Sequence, residues 1–215
     1  MTRVVNVMVA AAAVVMMMTA SPLADQAKPA APAPAQAPAP APNTWTIDGA
    51  HSAANFAVKH MMVSTVRGVL GPVTGAIVWD GKNTSSLSAN VSIDVQKLST
   101  ANESRDKHLR TGDFFAADQF PAMTFKSTRV IPGANGAFKL VGNLTIRDVT
   151  KEVTLDVEAP AAIVTSQGTS RTATTATTTI NRFDYNLKWN SLIETGGAVV
   201  GADVKVTIDL EVTKK

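Results

Sequence analysis

The stretch 203–210, DVKVTIDL, alternates strictly between polar and apolar residues. The stretches 88–95, SANVSIDV, and 153–158, VTLDVE, follow the same pattern. Successive side chains of a β-strand point to opposite faces of the sheet, so a period of two predicts strands with one apolar and one hydrated face. A helix would instead repeat its apolar positions every three to four residues. These stretches therefore predict β-structure.

Weaker alternation recurs along the chain and brings the total to about eight strands. It covers residues 52–60, 67–79, 122–130, 137–146 and 169–181. Turn-forming pairs separate the strands: Asp80-Gly81, Pro132-Gly133, Asn135-Gly136 and Gly196-Gly197. Antiparallel strands in this number usually close into a barrel or pack as a sandwich.

Small side chains favour the barrel. Residues 68–76, GVLGPVTGA, and 169–180, TSRTATTATTTI, contain few large apolar groups. Such strands leave space or mark bends where a sheet coils, and an eight-stranded barrel has room for one ligand. A sandwich needs bulkier inward residues to fill its core. We therefore predict an all-β fold: an eight-stranded antiparallel barrel with one short helix closing an end.

The short charged helix is predicted at residues 101–110. Thr100 and Glu103 have the spacing of a capping box, and Gly112 follows, as helix ends prefer. An aromatic pair then supplies an apolar anchor. We expect this segment to form a structural lid over one end of the barrel, built by Arg105, Asp106, His108, Phe114 and Phe115.

The N-terminal residues are not expected to belong to the fold. One positive charge, Arg3, precedes an uncharged apolar run from Val4 to Met18, which is typical of a secretory signal peptide. Residues 1–24 are therefore predicted to be a signal peptide, with a retained membrane anchor as the alternative. Residues 25–43, rich in Pro and Ala, predict an extended linker. One folded domain, residues 44–213, is expected to follow.

Charge and cysteine content exclude several classes of protein. The chain has 20 basic and 17 acidic residues, and the basic residues are not clustered as nucleic-acid binding requires. The chain contains no cysteine, which excludes disulfides, thiol catalysis and cysteine-ligated metal. We therefore expect no nucleic-acid partner, and export predicts that the domain resides in the periplasm.

Several ordered motifs resemble those of the YceI family of exported proteins. They are H-S-x-x-x-F-x-V-x-H at 51–60, SRDKHL at 104–109, DFF at 113–115, GNLTI at 142–146, VTK at 149–151 and NRFD at 181–184. The resemblance covers about residues 44–213. Asp148 departs from the family pattern, which has glycine there.

The resemblance implies a lipocalin-like barrel that holds a long-chain isoprenoid or fatty-acid-like lipid in an interior tunnel. It implies no catalytic activity, no metal and no cofactor. It also favours a homodimer, and transient membrane contact is compatible with such a carrier. Asp106 and Arg182 belong to matching family motifs, so we expect them to pair.

The alternation selects one parity on each strand as the tunnel face. This gives nine candidate ligand-binding residues: Phe56, Val58, His60, Val91, Ile93, Phe125, Leu144, Ile146 and Val206. His60 shares its parity with Phe56 and Val58, so it is expected to point inward. There it would be a hydrogen-bonded core residue or a contact to the head group of a ligand.

The histidines do not predict a metal or catalytic site. His51 and His60 fall on opposite faces of an unbroken strand, and no pair of histidines has the spacing of a strong metal motif. Asp106 and His108 do not share a helix face. The chain also lacks the G-x-S-x-G elbow of serine hydrolases. A salt-bridged, capped helix is the simpler interpretation of these charges.

Three functions remain open at this point. The first is a periplasmic carrier that holds a long-chain lipid in the barrel. The second is an enzyme acting on an amphipathic lipid. The third is a module whose barrel is filled by its own side chains and whose surface recognises a protein partner. The apolar tunnel and the family resemblance favour the first.

Overall fold

The computed structural model describes residues 42–191 and 198–215. The predicted signal peptide and nearly all of the predicted linker lie outside the described residues, as does the Gly196-Gly197 turn. Within the described ranges, no helix combines the length and the hydrophobicity needed to cross a bilayer.

Eleven strands and one α-helix build the described part of the chain. The strands are β1 (Thr44–Ile47), β2 (Ala53–His60), β3 (Ser64–Val69), β4 (Val73–Val78), β5 (Ser88–Asp94), β6 (Ala122–Pro132), β7 (Phe138–Ile146), β8 (Val149–Val157), β9 (Val164–Ser166), β10 (Thr169–Asn181) and β11 (Val200–Lys214). The helix, α1 (Glu103–Arg110), lies between β5 and β6.

Eight of the strands close into a ring in the order β1-β4-β5-β6-β7-β8-β10-β11, and β11 pairs with β1 to complete it. All of these pairings are antiparallel, so the predicted eight-stranded barrel is confirmed. The other three strands extend the sheet: β2 pairs with β11, β3 with β2 and β9 with β10.

The strand predicted at 67–79 is in fact two strands. β3 ends at Val69 and β4 begins at Val73, because Gly71 and Pro72 interrupt the alternation. Gly71 has a φ of +139°, a conformation that residues with a side chain rarely adopt, and Pro72 has no amide hydrogen to donate to a neighbouring strand. The sequence pattern also misses β1 and the short β9.

Side chains of one parity fill the interior of the ring. On β5, Ala89 and Ile93 are buried, and on β8 Leu155 and Val157 are buried. Alternation predicts this face correctly because a closed sheet has only one inside.

At the end of the barrel near β9, the indole nitrogen of Trp45 donates to the carbonyl oxygen of Trp79 at 2.9 Å.

We expect Gly75→Ala to lower the free energy of unfolding by about 2–4 kcal/mol. Gly75 has a φ of +133°, and a Cβ atom there would lie 2.1 Å from the carbonyl oxygen of Asn90. The control is Gly112→Ala, because a Cβ at Gly112 meets no atom within 4 Å. Urea denaturation of both variants measures the effect, and equal stabilities would contradict it.

Candidate ligand-binding cavity

An apolar cavity of about 120 Å³ lies inside the barrel. Every ring strand except β1 contributes to its wall, and the wall exposes no polar atom. The wall includes the side chains of Val73, Ile77, Ala89, Val91, Ile93, Met123, Phe125, Leu140, Leu144, Leu155, Val206 and Ile208.

Three threonines of β10 contribute methyl groups to this wall. Thr172, Thr174 and Thr178 line the cavity, and each hydroxyl donates to a backbone carbonyl oxygen in the segment 154–161, at 2.7 to 2.9 Å. A hydroxyl satisfied in this way is not left unpaired beside an apolar space. Ala176 lies on the same face. The cavity exists here because the β10 side chains are small.

A second cavity of about 80 Å³ lies between the first one and α1. Its wall also exposes no polar atom, and it includes Leu109 of α1 and Val200 of β11. Four residues line both cavities and so form the wall between them: Leu70, Met123, Ile180 and Val206. Met123 is the flexible member of this wall, since an unbranched thioether side chain changes conformation easily.

The two volumes together limit what fits without rearrangement. One water needs about 10–15 Å³ of such cavity space. The two cavities therefore have room for about fifteen groups of water or methylene size. A single chain that fills both cavities requires the wall at Met123 to move, and a longer chain must also leave the barrel at one end.

Eight of the nine predicted ligand-binding residues line these cavities. Val91, Ile93, Phe125 and Leu144 line the larger one, Phe56, Val58 and Ile146 the smaller one, and Val206 lines both. His60 differs: it ends β2 in register with Ser64 and Val200, is partly exposed and lines neither cavity. Contact of any of the nine with a ligand stays a prediction.

The helix begins at Glu103 and its N-cap is the residue just before it, not Thr100, so the predicted capping box is wrong. The N-cap is Asn102, whose side-chain oxygen accepts from the amide of Arg105 at 2.9 Å. The helix ends at Arg110 with Thr111 as its C-cap. Both Thr100 and Asn102 are suitable N-cap residues by type. The Thr100 hydroxyl does not cap the helix because it donates to the carboxylate of Asp106.

Thr100 connects α1 to the loop before it. Asp106 is only 7% exposed, and its carboxylate accepts from the Thr100 amide at 2.8 Å and from the Thr100 hydroxyl. Arg105 donates from Nε to the Thr100 hydroxyl at 2.8 Å and from Nη2 to its carbonyl oxygen at 3.0 Å. Both side chains are therefore engaged with this one residue.

The other predicted lid residues surround the C-terminal end of α1. His108 pairs with Asp113 at 2.9 Å, and its ring meets Phe114 and Trp189 edge-on, with ring centres 5.2 and 5.0 Å away. Phe114 and Phe115 are buried and line the smaller cavity. The segment that carries α1 thus supplies part of the cavity wall.

Arg182 does not pair with Asp106, contrary to prediction. Its guanidinium is buried, with the residue 4% exposed, and it donates to the carbonyl oxygens of four residues in the segments 187–189 and 200–201. The ring of Phe183 lies 4.3 Å from its Cζ. Burial lowers the pKa of Arg182. Sequence reasoning missed this role because the accepting carbonyls give no side-chain signal.

Asp48, His51 and Glu211 bring possible metal-ligand atoms within 4.8 Å of one another, outside both cavities. His51 Nδ1 lies 3.0 Å from the Asp48 carboxylate and 3.9 Å from that of Glu211. The hydrogen bond with Asp48 raises the pKa of His51, and the same bond lowers the pKa of Asp48. Arg171 also approaches Glu211, at 3.8 Å. These groups are arranged as a surface ion-pair network.

Comparison with known proteins finds one family across the barrel. The pattern of the family described as YceI-like domain matches residues 45–212. A UPF0312 protein of Staphylococcus aureus (strain N315) is 39% identical over 168 residues, which cover 78% of this chain and 95% of the relative. A UPF0312 protein of strain MW2 has the same identity and coverage.

Solved structures share the fold. A YceI protein of Campylobacter jejuni superimposes with a TM-score of 0.63 at 28% identity, covering 73% of this chain and 90% of that one. BcnA of Burkholderia cenocepacia gives 0.65 at 21% identity, covering 77% and 98%. A polyisoprenoid binding domain from Saccharophagus degradans gives 0.57 at 16% identity, covering 80% and 98%.

We expect Asp106→Ala to lower the free energy of unfolding by about 2–4 kcal/mol, because the buried amide and hydroxyl of Thr100 lose their acceptor. The matched control is Asp113→Ala at the other end of α1. Its carboxylate is exposed, so losing the pair with His108 should cost at most about 1 kcal/mol. Urea denaturation compares the two, and an Asp106 variant as stable as the control would contradict the expectation.

Proposed function

The chain belongs to the YceI-like domain family, and from this membership and its apolar interior we propose that it is a carrier for a long-chain isoprenoid or fatty-acid-like lipid. The lipid tail would lie inside the barrel. The related fold from Saccharophagus degradans is named for polyisoprenoid binding, which makes an isoprenoid tail the first candidate.

The observation that carries this proposal is the wall of the two cavities. Residues from seven ring strands meet there without exposing a polar atom, and even the threonines of β10 present only methyl groups. Such a space is suited to hydrocarbon, because water inside it would find no hydrogen-bond partner.

The energetics agree with a hydrocarbon ligand. Each buried methylene contributes about 0.8 kcal/mol, so about fifteen of them supply about 12 kcal/mol before costs. Loss of translational and rotational freedom and ordering of the tail oppose binding by about 4–15 kcal/mol. With the wall at Met123 open, the combined volume favours a tail of about fifteen carbons, and a longer polyisoprenoid would have to leave the barrel at one end.

We further propose that the protein binds its lipid without converting it. Among the described residues, the hydroxyls of the three β10 threonines and the Arg182 guanidinium donate to carbonyl oxygens, and the one buried side-chain polar atom without a partner in the wall of the larger cavity is the weakly reactive indole nitrogen of Trp79. No described His, Asp or Glu lines either cavity. The alternatives are an enzyme acting on an amphipathic lipid and a filled barrel that recognises a protein partner.

Location and assembly are also part of the proposal. The N-terminal segment favours export to the periplasm, where a soluble carrier would move lipids between membranes and exchange them by transient membrane contact. A homodimer, favoured by the family resemblance, is our proposal for its assembly.

Two substitutions in the cavity wall should remove the ligand. Ile93→Glu places a carboxylate in an apolar wall, and Ala176→Phe fills the space that the small β10 side chains leave. The control is Thr179→Phe, since Thr179 is exposed on the same strand. We expect about tenfold less lipid in both cavity variants, a loss of about 1.4 kcal/mol in affinity, and an unchanged amount in the control.

Mass spectrometry of organic extracts from the purified proteins measures the lipid, and thermal melting shows which variants are folded. Wild-type protein that contains no lipid would overturn the carrier proposal in favour of a filled barrel. Conversion of the extracted lipid on incubation with the wild-type protein would favour the enzyme instead.

Fractionation of the bacterial cell tests the location. We expect the chain in the periplasmic fraction, shortened by removal of residues near the predicted signal peptide, because the apolar run after Arg3 is short for a membrane span. A full-length chain in the cytosol would refute export. A full-length chain that stays with the membrane fraction would show a retained anchor.

A further inference from the structure

The β2–β3 hairpin turns through two methionines. Met61 and Met62 have φ of 50° and 58°, and the amide of Val63 donates to the carbonyl oxygen of His60 at 3.0 Å. Positive φ at both central residues defines a type I′ turn, for which Asn-Gly is the preferred sequence. A methionine in this conformation is strained, so local folding alone does not explain these residues.

The tip of this hairpin, residues 61–63, is also apolar and exposed. Met61 is 41%, Met62 70% and Val63 87% exposed. Exposed apolar side chains at a strained turn cost stability without any gain inside the molecule. A strained turn with exposed apolar side chains therefore indicates that residues 61–63 are buried against another molecule or surface.

The charges of the β2–β3 hairpin indicate which kind of surface covers the tip. Residues 53–69 contain Lys59 and Arg67 and no acidic residue. Both cations are exposed, and neither forms an ion pair with any residue in the part of the chain that the structure describes. An apolar tip flanked by cations is complementary to an anionic lipid bilayer, whose head groups attract the cations while its interior receives the tip.

The tip lies next to the smaller cavity. The amide of Met61 donates to the carbonyl oxygen of Val199 at 2.8 Å, and the next residue, Val200, lines that cavity together with Val58 of β2. A membrane in contact with the tip would therefore lie close to the cavity end.

We propose that residues 61–63 insert into the surface of a bilayer that contains anionic lipid, with Lys59 and Arg67 against its head groups. The smaller cavity then faces the membrane from which the carrier takes its lipid, or to which it delivers it. This inference rests on the proposed carrier function, for which it names the place of lipid exchange.

The chain offers a clean test because it contains no cysteine. Met62→Cys creates a single thiol for an environment-sensitive fluorophore. The matched control is Val164→Cys on β9, which is 63% exposed. Val164 pairs with Arg171 near the start of β10. β10 ends ten residues later at Asn181, which pairs with Asp203 of β11 at the barrel end that carries the hairpin tip. Val164 therefore lies about 33 Å from the end of the barrel that carries the tip.

The labelled proteins are mixed with vesicles of phosphatidylcholine alone or with about one third phosphatidylglycerol, a fraction that gives a strongly negative surface. We expect a blue shift of the Met62 label with the anionic vesicles, its loss in high salt, and no shift of the Val164 label. No shift at Met62, or equal shifts at both sites, would overturn the proposal.

A second variant separates membrane contact from folding. Met61→Asn combined with Met62→Gly installs the preferred turn, so the melting temperature should stay the same or rise. Co-sedimentation with the anionic vesicles should fall by about tenfold. The matched control, Ile163→Ser with Val164→Ser, should sediment like wild type. Unchanged sedimentation of the turn variant would refute the tip as the contact.

Two further measurements separate membrane contact from self-association of the tip and from the carrier function. Analytical ultracentrifugation of the wild type and the turn variant shows whether the tip instead joins two copies of the chain. If the wild type is a dimer that binds no vesicles, and the turn variant is a monomer, the tip is a dimer contact and the proposal is overturned. Lipid extraction from both proteins keeps the two proposals apart. Vesicle binding by a protein without internal lipid would refute the carrier and leave the tip supported.

Discussion

The pairing of β10 with β11 is the constraint on which the rest of the structure depends. Twelve consecutive residue pairs join the two strands, from Ser170 with Lys214 to Asn181 with Asp203. This ladder closes the sheet, so the eight ring strands leave no unpaired edge among themselves. Closure also gives the sheet an inside. Every strand must then turn one parity toward the apolar interior.

The same strand decides how much of that space stays empty. Threonine is well suited to a strand because it is β-branched, yet its side chain is small. In Thr172, Thr174 and Thr178 the hydroxyl binds a carbonyl oxygen of the segment 154–161, where the chain leaves β8. Valine would keep the methyl group but place a second methyl where the hydroxyl is, so those carbonyls would lose this donor. Threonine thus satisfies the main chain and keeps the cavity apolar.

The end of the barrel near α1 is built differently from its middle. Polar groups there hold separate segments together: Asp106 binds Thr100, and Arg182 binds the segments 187–189 and 200–201. The smaller cavity lies inside this frame, and the apolar hairpin tip lies outside it. This hydrogen-bonded frame beside an exposed apolar tip is the arrangement that the proposed carrier would present to a membrane.

The sequence by itself determines most of the strands, their inward faces and the family, but not β1, β9 or the break between β3 and β4. Alternation along a strand is local, and burial selects one parity, so eight of the nine residues expected to face inward do line the cavities. Only the tertiary structure decides the order of the ring, the volume left inside and the polar partners. Asn102 rather than Thr100 caps α1, and Arg182 binds carbonyls rather than Asp106, because those choices depend on groups that the folded chain brings together from elsewhere.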